Sequence, residues 1–262
     1  MGEEAGSGIL PKSAAEIEKM RAAGRIVRYA LMAMRDAIVP GVSTTLDLER
    51  AAAKAITEKG ATSAFLGYAP EGHPPYPAWT CISVNEEVIH GIPGKRLLQE
   101  GDVVGCDVGV KLGGYFADRA WTFPVGNSRP EVGRLLAVAE EALYAGIDQA
   151  RLGNRVGDIG HAIERHARKH GFAVVREMVG HGVGRYLHEA PQVPNHWRRG
   201  TGPLLVEGTT LAIEPMVNMG GRQIAVLNDS WTIVTRDRAP SAHFEHTVAV
   251  TRNGAQILTQ GD

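Results

Sequence analysis

Acidic and imidazole side chains of the kind that bind metal ions occur at five separated positions of the chain: Asp107, Asp118, His181, Glu214 and Glu245. Asp107 and Asp118 lie in two strand-like runs joined around two glycines. A turn at Leu112 and Gly113 would place the two carboxylates directly opposite each other, whereas a turn at Gly113 and Gly114 would make them diagonal neighbours on the same face. In either register the carboxylates repel each other, so a positive group is expected between them.

The other three candidates occupy positions where a polar group needs a partner. His181 stands in the glycine-rich stretch 179–184, whose small residues would let a ligand approach closely. Glu214 and Glu245 each lie beside apolar, strand-like sequence, where an unpaired carboxylate is costly to bury. Each residue alone is compatible with a structural role. Together the five form an oxygen-rich set with one imidazole, which suits divalent cations and a two-metal centre.

Other polar clusters are interpreted as structural. His166 and His170 are four residues apart on a predicted helix, but the segment lacks the glutamate of an HExxH motif and carries two cations between the imidazoles. We expect the helix C-terminal dipole to explain His170, and a solvated loop to carry Arg198 and Arg199. The two cysteines are 25 residues apart, which does not support a thiolate zinc site.

The predicted helices and strands that would position the candidate ligands occur in the same order twice. Apolar residues at helical spacing and capping signals predict two helices, and a run rich in β-branched residues predicts strands; the order then repeats about 115 residues later. This pattern predicts an α+β fold in one domain. The predicted helices run from Ser13 to near Pro40, from Thr44 or Thr45 to Gly60, from Ser128 to Ile147 and from Asp158 to His170, and the predicted strands lie in 62–125, 173–179, 210–214, 223–227, 231–235 and 243–251.

Composition excludes several functional classes. The 262 residues are 44% hydrophobic and carry a net charge of -1, which matches an ordinary globular protein and disfavours a dedicated polyanion binder. The N-terminus lacks an apolar signal region, and no run of 18 apolar residues occurs, so we expect a cytoplasmic protein without membrane association. We expect residues 1–12 to be a flexible tail and 13–262 a single catalytic domain with pseudo-halves at about 13–126 and 127–252.

Several motifs carry a family resemblance that covers nearly the whole chain after about residue 12. They are Asn85-Glu-Glu-Val-Ile-His90-Gly-Ile-Pro93, Asp107 and Asp118 eleven apart, Gly180-His181-Gly182-Val183-Gly184, His188-Glu189-Ala190-Pro191, Ile213-Glu214-Pro215 and Phe244-Glu245-His246-Thr247. In this order and spacing they resemble the type I methionine aminopeptidases. The resemblance implies the pita-bread fold, in which duplicated helix-helix-strands units surround a curved, mainly antiparallel sheet.

The resemblance also implies roles for named residues. Asp107, Asp118, His181, Glu214 and Glu245 would bind two divalent ions such as Co, Mn, Fe or Zn, with Asp118 and Glu245 bridging. His90, His188 and Glu214 would be catalytic, and substrate would contact His90, His188, Phe65, Tyr68, Tyr76, Cys81, Leu187 and Trp231. The implied reaction removes the initiator methionine from nascent polypeptides whose second residue is small. We expect a monomer that recognises no nucleic acid sequence, with the ribosome as a further candidate partner.

Two alternatives share this pattern. Prolidases and Xaa-Pro aminopeptidases have similar motifs, but they usually carry an additional N-terminal domain. A non-catalytic binding protein on the same fold would be expected to have lost some of the metal ligands. Three positions depart from the family pattern: the loop 69–75 is longer, Leu187 replaces the usual phenylalanine, and Trp121 is bulkier than expected. These departures predict altered pocket shape rather than lost activity.

Overall fold

Four helices occur within residues 8–260, the part of the chain that the computed structural model describes: α1 Ala14–Asp36, α2 Thr45–Glu58, α3 Pro130–Ile147 and α4 Val156–Lys169. Helix α1 begins as predicted, because the Ser13 hydroxyl accepts from the N–H of Glu16 and the Glu16 carboxylate accepts from the N–H of Ser13. The predicted cap of α3 at Ser128 is wrong. Arg129 is the N-cap, because Pro130, whose fixed φ suits the first helical position, sets the start.

The strands are short apart from one long central hairpin, and every pairing between them is antiparallel. They are β1 Thr62–Ser63, β2 Cys81–Val84, β3 Glu87–Ile89, β4 Val103–Leu112, β5 Tyr115–Pro124, β6 Ala173–Val174, β7 Val179–Gly182, β8 Glu189–Pro194, β9 Thr210–Ile213, β10 Met216–Asn218, β11 Ile224–Val226, β12 Ile233–Thr235, β13 Ser241–His243, β14 His246–Thr251 and β15 Gly254–Ile257.

Each half of the chain places two packed helices against its own sheet. In the first half β4 pairs with β1, β2 and β5, and α1 packs on β4 and β5. In the second half the sheet order is β15-β14-β9-β7-β8, and α4 packs on β8. The predicted α+β class and its repeated order are therefore confirmed.

Each half also has its own hydrophobic core beneath its helix pair. Leu31, Leu48 and Ile56 are fully buried in the first half, and Leu143 and Ile163 in the second. Burying a side chain of this size stabilises the fold by about 1.5 to 3 kcal/mol. The two packed layers hold the strands between them, and with them the candidate ligands, in fixed positions.

The two halves meet along β5. The Thr122 hydroxyl donates to the carbonyl of His243 at 2.8 Å and accepts from its N–H at 2.9 Å. Farther along the same seam, the N–H of Glu245 donates to the carbonyl of Ala120 at 2.9 Å. Side chains from both halves therefore face each other across this seam.

The division predicted at residue 12 stays a prediction, because residues 1–7 of the expected tail lie outside the described residues. Lys12, at the end of that segment, is buried. None of the helices within residues 8–260 is both long enough and apolar enough to cross a membrane.

Candidate metal centre and substrate cavity

The two aspartates are diagonal neighbours on the long hairpin of β4 and β5. Gly113 and Gly114 form the turn with φ of 56° and 84°, and Asp118 pairs with Gly109, two positions from Asp107. The register with directly opposed carboxylates is therefore wrong, and the alternative with the glycine pair at the turn is correct. Two consecutive positive φ values favour the Gly-Gly pair over a turn that includes Leu112.

The two glutamates lie where a pair of strands changes sheets. Strands β9 and β14 pair in one sheet, and their continuations β10 and β13 pair in another. Glu214 lies between β9 and β10, and Glu245 lies between β13 and β14. The predicted continuous strand 243–251 is therefore wrong, since the chain leaves one sheet at His243 and enters the next at His246. This break directs both carboxylates into the space beside the aspartates.

A threonine ties the loop of Glu245 to the strand of Asp118. The Thr247 hydroxyl donates to the carbonyl of Asp118 at 2.8 Å and accepts from its N–H at 2.9 Å. These bonds span 129 residues of sequence and join the two halves at the candidate site. The positions of the Asp118 and Glu245 backbones are thus coupled.

His181 is held with one ring nitrogen free for a ligand. Its Nδ1 lies 2.9 Å from the carbonyl of Gly182, and because a carbonyl only accepts, Nδ1 carries the proton and Nε2 keeps its lone pair. The glycines around it serve strand packing rather than ligand approach. A Cβ on Gly180 would lie 2.4 Å from the oxygen of Ala212, and one on Gly182 would lie 2.3 Å from the oxygen of Ala190.

The five predicted ligands come together in one buried cluster. Ligand atoms of Asp118, His181 and Glu245 all lie within 4.8 Å of one another. Glu214 Oε1 is 3.5 Å from His181 Nε2, and the Asp107 and Asp118 side chains are within hydrogen-bonding contact. Residues from β4, β5, β7 and two strand junctions thus converge from both halves of the chain.

The electrostatics of this cluster favour a bound cation. Burial, with added repulsion from neighbouring carboxylates, holds the pKa of Asp107, Glu214 and Glu245 well above their usual range. Burial likewise raises the pKa of Asp118 to about 7 and lowers the pKa of His181 to about 4. One oxygen each of Asp107, Asp118 and Glu245 is buried with no hydrogen-bond partner among the described residues. Divalent cations would supply the missing partners, so these residues fit a metal centre.

His243 is a further member of the cluster that sequence reasoning missed. Its Nε2 is 3.5 Å from Glu214 Oε2 and has no hydrogen-bond partner among the described residues. Burial, followed by the proximity of His90, lowers the pKa of His243 to about 3. No local sequence signal singles it out, because the strand that carries His243 ends before Glu245.

A cavity of about 670 Å³ opens onto the cluster, and all thirteen predicted site residues line it. Its inner wall is apolar and aromatic: Phe65, Tyr76, Cys81, Leu187 and Trp231 pack into one small cluster. The Tyr76 ring meets Phe65 edge-on at 6.5 Å and Trp231 at 5.1 Å, and its hydroxyl donates to the backbone. The arrangement suits an apolar side chain lying beside the carboxylates.

Two histidines flank the cluster without joining it. His188 Nδ1 is 2.6 Å from the Tyr68 hydroxyl, and its ring lies 4.3 Å from that of His181. His90 has a left-handed backbone with φ of 58°, and burial is the main reason that its pKa falls to about 4. A neutral imidazole on each side of the cavity can donate or accept one proton.

The remaining sequence features lie in different places. The longer loop contributes His73, a cavity residue that sequence reasoning did not single out, whose ring lies 5.3 Å from Trp231. Trp121 does not line the cavity but packs edge-on against Phe244 at 4.8 Å. His166 lies on α4 and His170 is its C-cap, and neither is among the residues of the cavity wall.

Comparisons with known proteins agree with this geometry. The model of metallopeptidase family M24 matches residues 18–252. The chain is 47% identical over 252 residues to methionine aminopeptidase 1 of Bacillus subtilis, covering 96% of this chain and 99% of that protein. The crystal structure of methionine aminopeptidase from Thermotoga maritima superposes with a TM-score of 0.93 at 44% identity, covering 97% of this chain and 100% of that one.

More distant structures share only the fold. Prolidase from Pyrococcus furiosus has a TM-score of 0.77 at 23% identity, covering 96% of this chain and 66% of that one. The expected pita-bread fold is thereby confirmed. Because the family model matches most of the chain, and relatives of known family match nearly all of it, the chain belongs to metallopeptidase family M24 and, within that family, to the methionine aminopeptidases.

Proposed function

We propose that this chain removes the N-terminal methionine from newly made proteins whose second residue is small. One observation carries the proposal: an apolar, aromatic cavity ends on a cluster of buried carboxylates whose oxygens lack partners among the described residues. Such a cavity would accept an apolar side chain and would place the adjoining peptide amide next to bound cations. Two relatives at 47% identity are methionine aminopeptidases, which supports methionine as the residue removed.

Asp107, Asp118, His181, Glu214 and Glu245 are proposed to hold two divalent ions, with Asp118 and Glu245 shared between them. When bound, such ions lower the pKa of a water molecule and polarise the substrate carbonyl. The number of ions is part of the proposal. Which metal occupies the site depends on availability as well as on ligand chemistry, because oxygen-rich sites accept several divalent ions.

Three side chains would handle protons and charge during hydrolysis. Glu214 would accept the proton of the attacking water as the general base. His188 would donate a hydrogen bond to the carbonyl oxygen as negative charge develops there, and its contact with Tyr68 supports this orientation. His90 would position the scissile amide and protonate the leaving amine.

The apolar wall would hold the methionine side chain. Phe65, Tyr76, Cys81, Leu187 and Trp231 form this wall, and Tyr68 stands at its rim. A thioether makes favourable contacts with aromatic rings, which suits the edge-on tyrosine and tryptophan. The room left around the metal ions would limit the second residue of the substrate to small side chains.

Activity after metal removal tests the proposal. We expect the metal-stripped chain to release no methionine from Met-Ala-Ser and to recover on addition of Mn, Co, Fe or Zn. Glu214→Gln should lower kcat by roughly two to four powers of ten, while the exposed Glu207→Gln should match the parent. Faster cleavage of Ala-Pro-Ser than of Met-Ala-Ser would identify an Xaa-Pro aminopeptidase instead. Peptide binding without turnover under any metal would identify a binding protein.

The predicted setting of the reaction rests on the same proposal. Nascent polypeptide N-termini are the proposed substrates, with the ribosome as a candidate docking partner. The cytoplasmic location and the monomeric state stay predictions.

A further inference from the structure

A second group of metal-binding side chains lies on the outer face of the second half. Glu141 projects from α3, and His166 and His170 project from the last turn and C-cap of α4. His166 Nε2 is 2.9 Å from Glu141 Oε2, and the two imidazole rings are 4.6 Å apart. One ligand-capable atom from each residue lies within 4.8 Å of the others. The carboxylate beside the two histidines therefore comes from the neighbouring helix α3.

The ring of His170 is already oriented as a ligand. Its Nδ1 lies 2.9 Å from the carbonyl of His166, and because that carbonyl only accepts, Nδ1 carries the proton. The lone pair therefore resides on Nε2. Metal-binding histidines usually donate their other ring nitrogen to such an acceptor, which fixes the tautomer and the ring plane.

The charges around Glu141, His166 and His170 permit a bound cation. The Arg134 guanidinium donates to the backbone carbonyl of His170 at 2.6 Å and lies over the Phe172 ring at 5.3 Å, so its hydrogen bond is to the backbone and not to an imidazole or to Glu141. Arg168 and Lys169 are exposed side chains that weaken cation binding only through solvent. The negative end of the α4 dipole and the Glu141 carboxylate act in the opposite direction and favour positive charge.

We propose that Glu141, His166 and His170 form a metal site, separate from the cavity, for a borderline divalent ion such as Zn²⁺, Ni²⁺ or Cu²⁺. Two imidazoles and one carboxylate suit these ions better than Mg²⁺ or Mn²⁺, which the oxygen-rich cluster in the cavity accepts more readily. Partial burial of both histidines limits competition from water, while Glu141 keeps the site open to solvent. The bound ion would connect α3 to α4 across the surface of the second core and would stabilise that helix pair.

Metal stoichiometry in matched variants tests this site. The parent, His166→Ala, His170→Ala and the control His161→Ala, which alters another histidine of α4, are loaded with excess Mn²⁺ and dialysed against Zn²⁺ or Ni²⁺. We expect the parent and His161→Ala to bind one equivalent more than the other two variants. Zn²⁺ should also raise the Tm of the parent and control by several degrees more than that of the site variants. Turnover of the Mn²⁺-loaded enzyme should be equal in all four proteins.

Spectroscopy gives an independent readout if a site variant folds poorly. The parent with a third equivalent of Cu²⁺, beyond the two ions proposed for the cavity, should show electron paramagnetic resonance couplings to two imidazole nitrogens, whereas the catalytic ligand set contains only one proposed histidine. Glu141→Gln, an exposed and conservative change, should weaken this binding without loss of fold. Equal metal stoichiometry in all four proteins, or the absence of a two-nitrogen signal in the parent, would overturn the proposal. Neither result bears on turnover of Met-Ala-Ser, so failure of this site is distinguishable from failure of the proposed function.

Discussion

Lys12 forms a buried ion pair behind the loop that carries His188, and its replacement should be strongly destabilising. Its side chain is 1% exposed, as is that of Glu189, and its Nζ donates to Glu189 Oε2 at 2.5 Å and to the carbonyl of Leu10 at 2.6 Å. The other oxygen of Glu189 accepts from the N–H groups of Arg185 and Tyr186 at 2.6 and 3.0 Å. The carboxylate therefore organises the 185–189 loop and depends on Lys12 for its charge balance.

Lys12→Met keeps the length of the side chain but leaves Glu189 buried without its cation. Removing one partner of a buried pair costs about 3 to 5 kcal/mol. At about 2 to 4 °C per kcal/mol for a chain of this size, the Tm should fall by roughly 6 to 20 °C. Adding Glu189→Gln removes the uncompensated charge, so the double variant should recover part of the loss.

Thermal and urea unfolding of the metal-free protein measure this effect. Lys54→Met is the matched control, because Lys54 is 78% exposed and its Nζ is 3.9 Å from Glu58 Oε1. Exposed pairs of this kind contribute less than about 1 kcal/mol. A Tm for Lys12→Met within about 2 °C of that for Lys54→Met would refute the argument from burial. Below its Tm, the Lys12 variant should also show a reduced kcat, because His188 directly precedes Glu189.

Other residues give predictions of different kinds. His90→Ala and His188→Ala should each lower kcat/KM for Met-Ala-Ser by roughly two to four powers of ten. The metal content of both variants, measured by mass spectrometry, should stay near that of the parent. Loss of metal from a variant would instead place that histidine among the ligands. Glu16 accepts hydrogen bonds from Ser13, mainly from its backbone, and these lower its pKa from 4.5 to about 2. The ionised Glu16 carboxylate therefore contributes its full stabilisation above about pH 4.5, and this stabilisation is lost as the pH falls toward 2. The decrease in Tm caused by Glu16→Gln should be larger at pH 6 than at pH 3. An equal decrease at both pH values would contradict this assignment. Leu187→Phe thickens the apolar wall and should raise the kcat/KM ratio of Met-Ala-Ser to norleucine-Ala-Ser by up to about tenfold, whereas an unchanged ratio would show that this wall does not select the thioether.

Local signals in the sequence were sufficient for the helices and for the identities of the candidate ligands. The capping box of Ser13 and Glu16 and the apolar spacing along α1 are local interactions, and they recur in the structure. Asp107, Asp118, His181, Glu214 and Glu245 could be selected because acidic and imidazole groups beside apolar strands need partners. All five line the same cavity.

Features that depend on contacts between distant parts of the chain required the tertiary structure. Local pattern left two hairpin registers open, and the glycine turn decided between them. Glu214 and Glu245 lie where the chain passes from one sheet into another, and this passage directs both carboxylates into the cluster. Alternation of side chains along a single strand cannot indicate where two sheets meet. His243, the pairing of Lys12 with Glu189 and the proximity of Glu141 to the histidines of α4 are equally invisible in local sequence, because packing brings together residues that no short-range periodicity relates.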